Sequence, residues 1–596
     1  MTNNEIAKIF NETADILEIK GENIFRVRAY RNAARVIDNL IEKLSDIVAQ
    51  NPDELNSIKS IGKALHDKII EFCQTGKIKE FDNLKNSLPS GLLDMLKIQS
   101  FGPKRVRLVY EKLGIDNVDK LEKAASEGKI RVLPGMGEKS ELKILKSIRD
   151  FRTLQTDRKS WAEAEQILND YLNYLKKIDG IDKIQPAGSF RRCRETVGDL
   201  DILITCSGDT EKIISHFAEY PEVLEILAQG ETKSSVVLKD KIQVDLRVVK
   251  PESFGAAMQY FTGSKEHNVA LRSHAKEKNM KLSEYGVFQK DKSIAGENEE
   301  NVYNSLGFDW IPPEIRENRG EIAMAKNHSL PKLITLENIK GDLHCHSTHS
   351  DGSATIPEMA AAAKRLGYEY LAITDHSKSL TVAHGLDERR LLEEITEIDV
   401  FREQNPDFFV FKGIEVDILA DGSLDLDDEI LSKLNFPIAA IHSRFGMGSA
   451  EMTERIVRAI KNPFIRCVAH PTGRLIGERV PYEIDIAKII AAAKENNVAL
   501  EINASPHRLD MNENFTFQAR EAGVPICINT DSHSPDGFLA MRYGINVARR
   551  AWCTTENIVN AWSLEKLKSW LKLPREKTEV KEKQENMEEQ IQEELF

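Results

Sequence analysis

The residues best suited to chemistry in this chain of 596 residues fall into two arrays. The first is built of carboxylates. In the segment GDLDILIT, Asp199 and Asp201 stand two apart, and residues i and i+2 of a β-strand face the same side, so both acids point one way. Asp245, in IQVDLRVV, offers a third carboxylate from a neighbouring strand. Three convergent carboxylates can hold two Mg²⁺ or Mn²⁺ ions about 3.5–4 Å apart, an arrangement suited to in-line displacement at phosphorus. Upstream, Gly188 and Ser189 can form a nest of backbone N–H groups for triphosphate oxygens, with Arg192 as countercharge. A lone Asp-x-Asp pair is common; the joint pattern is far more specific.

The second array is rich in histidine. Nine of the fourteen histidines lie between His344 and His533. His344 and His346 share one strand face, and Asp351 follows in a loop. His376, Glu415, His442 and His470 end the runs YLAITDH, FKGIE, IAAIH and RCVAH, and Asp531 and His533 follow PICINT. Catalytic groups of α/β barrels gather at the C-terminal ends of strands, so these nine residues should converge on one pocket. Such a mixed nitrogen and oxygen set suits Mn²⁺, Zn²⁺ or Fe²⁺, and nine ligands suffice for two or three ions. Ions of this kind activate water for hydrolysis of a phosphate ester. Arg444 and Arg474 follow ligand histidines; substrate phosphate binding and a plain surface role are both open to them.

These side chains need elements to hold them. Up to about residue 150, short amphipathic helices are punctuated by three turns: Ser60-Ile61-Gly62-Lys63, Ser100-Phe101-Gly102-Pro103-Lys104 and Pro134-Gly135-Met136-Gly137-Glu138-Lys139. A glycine turn entering a helix directs N–H groups outward, where they bind phosphate without reading base sequence. Three such turns, each followed by lysine, favour helix-hairpin-helix units with Gly62, Gly102, Gly135 and Gly137 against a DNA backbone. From Trp161 to about Lys250 a lead-in helix gives way to GDLDILIT, SSVVLK and IQVDLRVV, which predict a small mixed sheet. Residues 251 to about 318 read as mostly helical or irregular, with Pro312 and Pro313 at a boundary. Between residues 340 and 535, the seven apolar runs DLHCHS, YLAITDH, FVFKGIEV, FPIAAIHS, IRCVAHP, ALEIN and PICINTDSH alternate with helical stretches. That alternation predicts a parallel sheet or an α/β barrel. The chain is therefore expected to be multidomain, α+β in its first part and α/β in its second.

GSFRRCRETVGDLDILI, the QVDLRV strand and YFTGSKEHNVALR together resemble the palm and thumb of family X DNA polymerases. The resemblance implies a nucleotidyltransferase-type palm over residues 156–250 and a thumb over 251–318. By it, Asp199 and Asp201 bind both metals, and Asp245 binds the catalytic metal and helps activate the primer 3′-hydroxyl. Gly188, Ser189 and Arg192 hold the incoming deoxynucleoside triphosphate. Tyr260 and Phe261, with Gly263, flank its sugar, while Asn268 and Arg272 lie near the minor groove at the nascent pair. FRVRAYRNAARVI and SIGKALHDKIIEF resemble the family's 5′-phosphate-gripping domain, which is expected over residues 1–85 and followed by a helix-hairpin-helix domain over 86–155. Lys68 falls on the position of that domain's Schiff-base lyase nucleophile, a role that needs a lowered pKa. Arg26 and Ala64, however, stand where some relatives carry phosphate-binding lysines, so a phosphate or solvent contact is the competing reading of Lys68.

DLHCHSTHSDG, ITDH, GIE, IHS, AHP and NTDSH resemble the PHP phosphoesterases, whose fold is a distorted (β/α)7 barrel, and all nine of that family's ligand positions are filled. A PHP barrel is expected over residues 338–573, after a linker over 319–337 and before a charged tail over 574–596. Family X polymerases of bacteria and archaea commonly carry such a domain, associated with Mn²⁺-dependent 3′→5′ exonuclease activity and, in some, with abasic-site cleavage. The implied function is filling of short gaps in nicked or gapped duplex DNA with 3′-end processing. Two alternatives are a DNA-end-binding nuclease with a vestigial polymerase half, and a PHP half that acts on small phosphate monoesters.

Composition sets the outer limits. This length suggests roughly three to five domains, and a run of about 18 apolar residues, enough to span a bilayer, is missing from the sequence. Seven scattered cysteines with no CxxC pair, and no secretory signal, point to a cytoplasmic chain without a disulfide framework, expected to be a monomer. The net charge of −13 does not exclude nucleic acid, because an acidic total can hide a basic groove. The terminal Gln592, Leu595 and Phe596 resemble the peptides that bind the bacterial sliding clamp; an incidental amphipathic end is the plainer reading.

Overall fold

Residues 3–38, 44–58, 61–96, 98, 101–154, 158–290 and 292–572 are described by a computed structural model. The chain divides into two compact units, Met1–Thr156 with Gly477–Val480, and Asp157–Ile476 with Pro481–Phe596.

The first unit is helical and has two cores. Phe10, Leu17, Val27, Tyr30, Ile69 and Phe72 pack in one, and Leu92, Phe101, Val106, Leu121, Ile144 and Ile148 in the other. The glycine turns lead into the helices Lys63–Thr75, Pro103–Leu113 and Glu138–Leu154. Gly62 and Gly102 take the capping position in extended backbone, and Pro103 occupies the first turn, where a missing N–H costs nothing. A Cβ on Gly62, Gly102, Gly135 or Gly137 would meet nothing within 4 Å. Internal crowding is thus not what selects glycine there, and the backbone stays open to an approaching phosphate. Ser60 and Ser100 lie outside the described residues.

The second unit begins with the helix Trp161–Leu175, closed at its start by a Ser160–Glu163 capping box. A five-stranded mixed sheet follows: β1 (Ile181–Pro186), β2 (Asp199–Cys206), β3 (Val223–Gln229), β4 (Lys233–Leu238) and β5 (Gln243–Val248), in the order β1-β2-β5-β4-β3. Only β2 and β5 run parallel. Next come the helices Phe254–Thr262 and Lys265–Glu277. Where the sequence reads as helical or irregular, the structure has a three-stranded antiparallel sheet of β6 (Lys281–Ser283), β7 (Gly286–Gln289) and β8 (Lys292–Ala295). Its strands are too short to show a period; Leu282 and Val287 anchor it to the core around Tyr303 and Phe308.

Residues 319–337, read as a linker, are instead packed. They hold the helix Glu321–Lys326, and Ala325 and Leu333 share a core with Phe308 and Trp552. Glu321 is fully buried, accepting from the backbone N–H groups of Asn318 and Arg319 and pairing with His267 Nδ1 at 2.6 Å.

The rest is a parallel seven-stranded sheet in sequential order: β9 (Gly341–Cys345), β10 (Tyr370–Ile373), β11 (Phe409–Asp417), β12 (Phe436–Ala440), β13 (Cys467–Val468), β14 (Ala499–Asn503) and β15 (Ile526–Asn529). A parallel bridge from Cys345 to Ser532 joins the ends of the first and last strands, so the sheet is a nearly closed barrel. Its strands read as unbroken apolar runs because both faces are covered. In β10, Tyr370 and Ala372 join a cluster with Phe411, Phe436 and Cys467, while Leu371 and Ile373 pack with Met359, Ala363 and Val410. Among the described residues, no helix is long and apolar enough to cross a membrane.

Candidate active sites

In the palm, Leu200, Ile202 and Ile204 are buried in the core, which turns Asp199 and Asp201 to the other face of β2. Asp201 lies opposite Asp245 in the parallel register with β5. Burial pushes the Asp201 carboxyl up to about 7, and the charges of Asp199 and Asp245 push the same way. Three crowded carboxylates are what a divalent cation neutralises, so the donor set fits the expected metal. Gln243 Nε2 donates to both oxygens of Asp245, at 3.2 and 3.1 Å, and fixes its orientation.

The turn above them is shaped by one glycine. Gly188 has φ +64°, and a Cβ there would lie 2.2 Å from Asp201 Oδ2. Ser189 Oγ is buried without a hydrogen-bond partner among the described residues, a hydroxyl that a triphosphate oxygen would satisfy. Arg192 is held beside the turn, donating from Nη1 to Thr262 O at 2.5 Å and pairing through Nε with Glu317 at 3.2 Å. Gly263, φ +72°, leaves room for that guanidinium, 3.0 Å from where its Cβ would be. The rings of Tyr260 and Phe261 meet edge to face at 5.2 Å, with the exposed Arg272 over Tyr260. Asn268, expected near the minor groove at the nascent pair, is tied to the preceding helix. It is 8% exposed, donates to Tyr260 O at 2.7 Å and accepts from Gln259 at 2.8 Å, so it props the Tyr260 backbone.

The histidine-rich array is brought together at the C-terminal ends of the barrel strands. Glu415 is its hub. Oε2 lies 3.6, 3.8 and 2.7 Å from nitrogens of His344, His346 and His376, and Oε1 lies 3.3 and 2.9 Å from His442 and His470. Asp531 Oδ1 reaches His346 at 3.1 Å and His344 at 3.5 Å, and Asp351 reaches His533 at 3.3 Å and His376 at 3.6 Å. Three overlapping groups have metal-binding spacing: His346, Asp351, His376 and His533; His344, His346 and Asp531; and His376, Glu415 and His442.

Buried atoms without a hydrogen-bond partner among the described residues include His344 Nε2, His346 Nδ1 and His470 Nδ1. Buried, unpaired ring nitrogens within a cluster of carboxylates at metal-binding spacing fit divalent cations. Burial and the neighbouring His533 and His376 lower His346 to about 4, which keeps its imidazole neutral and able to coordinate. Burial would raise Glu415, but His442, His376 and His344 hold it well below the usual carboxylate range.

Supporting residues absent from the sequence reading orient these ligands. Glu501 accepts from His470 N at 2.7 Å and pairs with His344 Nδ1 at 2.8 Å; Asp417 meets His442 Nδ1 at 3.2 Å; Asn503 donates to Asp531 at 3.0 Å. A fully buried Glu inside the apolar run ALEIN is the signal that points to Glu501. Arg508 lies 3.7 Å from Asp531 Oδ2. Arg444 is exposed, whereas Arg474 is buried and neither a surface nor a free phosphate-binding group. It donates to Arg508 O at 2.8 Å and pairs with Glu195 of the palm at 2.8 Å.

Lys68 lacks the lowered pKa that the lyase role would need. Burial alone would lower its pKa, but the hydrogen bond to Glu80, at 2.8 Å, and the neighbouring Tyr30 raise it above the ordinary lysine value. The amine is therefore an ammonium at neutral pH, the wrong form for Schiff-base attack. Borohydride trapping of an incised abasic duplex at neutral pH is expected to be at background for the wild type and for Lys68→Ala, and to rise in Glu80→Gln. Strong wild-type trapping that Lys68→Ala removes would contradict this.

The described geometry has counterparts in known proteins. The DNA polymerase beta palm family matches residues 158–272 and the DNA polymerase beta thumb family residues 257–317. The PHP domain family matches 342–505, a helix-hairpin-helix domain 1–78, and a SAM-like helix-hairpin-helix tandem 92–150. The DNA polymerase/3′-5′ exonuclease PolX of Bacillus subtilis is 39% identical over 578 residues, covering 96% of this chain and all of the relative. A probable phosphatase of a Thermoanaerobacter species is 32% identical over 244 residues, covering 39% of this chain and 94% of the relative.

Proposed function

Because the chain belongs to the family X DNA polymerases that carry a PHP domain, we propose that it fills short gaps in duplex DNA and trims 3′ ends, each at its own metal site. The observation that carries the first half is the parallel pairing that sets Asp201 opposite Asp245 beneath the Gly188 turn. Cations held there supply charge neutralisation and activation of the primer hydroxyl. Asp199, Asp201 and Asp245 hold them; Gly188, Ser189 and Arg192 receive the triphosphate; Tyr260 and Phe261 bound the sugar. Gln243 keeps Asp245 in place. Mg²⁺ is the proposed palm ion.

The second half rests on Glu415 facing five imidazoles. His344, His346, Asp351, His376, Glu415, His442, His470, Asp531 and His533 hold two or three ions, with Mn²⁺ proposed. Glu501, Asp417 and Asn503 orient ligands, and Arg508 stands ready for the phosphate being cut. Gly62, Gly102, Gly135 and Gly137 support sequence-tolerant, salt-sensitive binding to DNA phosphates. A cytoplasmic site of action and clamp docking through Gln592, Leu595 and Phe596 rest on the sequence alone, the tail lying outside the described residues.

On a gapped duplex with a 5′-phosphate, the wild type should add template-directed nucleotides with Mg²⁺ and shorten 3′ ends with Mn²⁺. Absence of any template-directed addition would leave the end-binding nuclease reading in its place. The barrel-length similarity to probable phosphatases favours a second reading of that half. Turnover of small phosphate monoesters in preference to DNA 3′ ends would support it.

A further inference from the structure

Residues 192–195, which follow the nucleotidyl turn, are gripped by side chains of the barrel at three points. Arg550, the last residue of the helix Met541–Arg550, donates from Nη1 to Arg192 O at 2.6 Å and pairs through Nη2 with Glu317 at 2.9 Å. Glu317 itself pairs with Arg192 Nε at 3.2 Å. Glu513, which binds Arg550 Nε, also faces Arg194 at 3.4 Å. Arg474 holds Glu195 at 2.8 Å.

Arg550 is 2% exposed, and its planar fork is fully directional, so each partner is fixed in angle as well as distance. Apart from Glu513, the partners of Arg550 are Arg192 O, Glu317 and Glu314 O, all in the palm and thumb. Its hydrogen bonds therefore go to the backbone of Arg192, to Glu317 and Glu314 O in the thumb and to Glu513, and not to the nine-residue centre of its own domain.

We propose that Arg550 is a positioning residue for nucleotide addition: through the Arg192 carbonyl and Glu317 it sets the Arg192 guanidinium and the turn beneath it, making the barrel part of the nucleotide pocket. The proposal rests on Arg192 being a triphosphate-binding residue, as in the function proposed above. Loss of the fork would free Glu317 to hold Arg192 back and would let the turn drift, which weakens nucleotide capture more than the chemistry that follows.

The test is single-nucleotide gap filling by the full chain carrying Arg550→Gln, Arg550→Lys or Glu513→Gln. Arg550→Gln should raise the KM for the deoxynucleoside triphosphate about tenfold while kcat, affinity for gapped DNA and Mn²⁺-dependent 3′ digestion stay within about twofold. Arg550→Lys, which keeps the charge and loses the fork, should recover part of the rise. Glu513→Gln, which leaves the bonds of Arg550 to Arg192 O and Glu317 in place while weakening the pairs of Glu513 with Arg550, Arg194 and Arg319, should show a smaller rise in the same constant and serves if Arg550→Gln does not fold. An unchanged nucleotide KM in the folded variants, or a parallel loss of digestion and addition, would overturn the proposal. A wild type that adds no nucleotides would instead defeat the function proposed above, so the two failures are distinguishable.

Discussion

Glu415→Gln is expected to lower 3′-end digestion by about three orders of magnitude or more while leaving gap filling within about twofold of wild type. The carboxylate is 1% exposed, and its two oxygens are shared among His344, His346, His376, His442 and His470. An amide keeps the shape, but it removes the negative charge and turns one acceptor into a donor aimed at nitrogens that must themselves be acceptors to coordinate. Asp351 and Asp531 can still serve the outer groups, so partial metal retention there is compatible with loss of activity. Elemental analysis should therefore show fewer Mn²⁺ per chain in the variant, alongside an intact fold by circular dichroism. Digestion close to wild type by such a protein would show that Glu415 is not the hub of the hydrolytic centre.

The barrel is the most legible part of the sequence because its physics is repetitive. Each strand is covered on both faces and reads as an apolar run, and most ligands sit near or just past the end of a run, as His376 follows β10 and His470 follows β13. The palm carboxylates are legible for the period-two reason that puts Leu200 and Ile202 inside and Asp199 and Asp201 together. Edge and thumb strands are not. β3 has exposed Leu224, Ile226 and Leu227, so burial does not alternate along it, and β6 to β8 are too short to carry a pattern.

Side-chain partners distant in sequence are the least legible feature. The pKa of Lys68 is decided by Glu80 from the following helix. Arg474 looks like a phosphate ligand until Glu195, far back in the chain, is found against it. Arg550, Glu317 and Glu513 belong to no motif; each is an ordinary surface-type residue whose burial is created only when thumb, palm and barrel pack. The same holds for Glu321 and His267, which turn a presumed linker into a fixed joint.

Asp201→Asn is expected to abolish nucleotide addition, by about a thousandfold or more, and to leave Mn²⁺-dependent digestion at its wild-type rate. Its value as a test lies in a second readout, the pH dependence of metal binding. Burial and the charges of Asp199 and Asp245 push Asp201 up to about 7. A raised carboxyl favours its protonated form, so in the metal-free protein its contribution to stability is present below the ordinary carboxylate value and is lost as pH rises through about 7. A cation requires the opposite form, and binding must displace that proton. Apparent affinity for Mg²⁺ in the palm should accordingly climb by up to about tenfold per pH unit as pH rises towards 7 and level off above it. Calorimetric titrations in two buffers of different ionisation enthalpy count the proton released. In Asp201→Asn the asparagine cannot titrate, so the residual binding should lose most of this slope as well as most of its strength. A wild-type affinity that is flat between mildly acidic and neutral pH would mean that the three carboxylates do not share a cation. The placement of Gly188 over Asp201 would then have to serve packing alone, although a Cβ at that position, 2.2 Å from the carboxylate oxygen, shows how closely the nucleotidyl turn is built onto the acid.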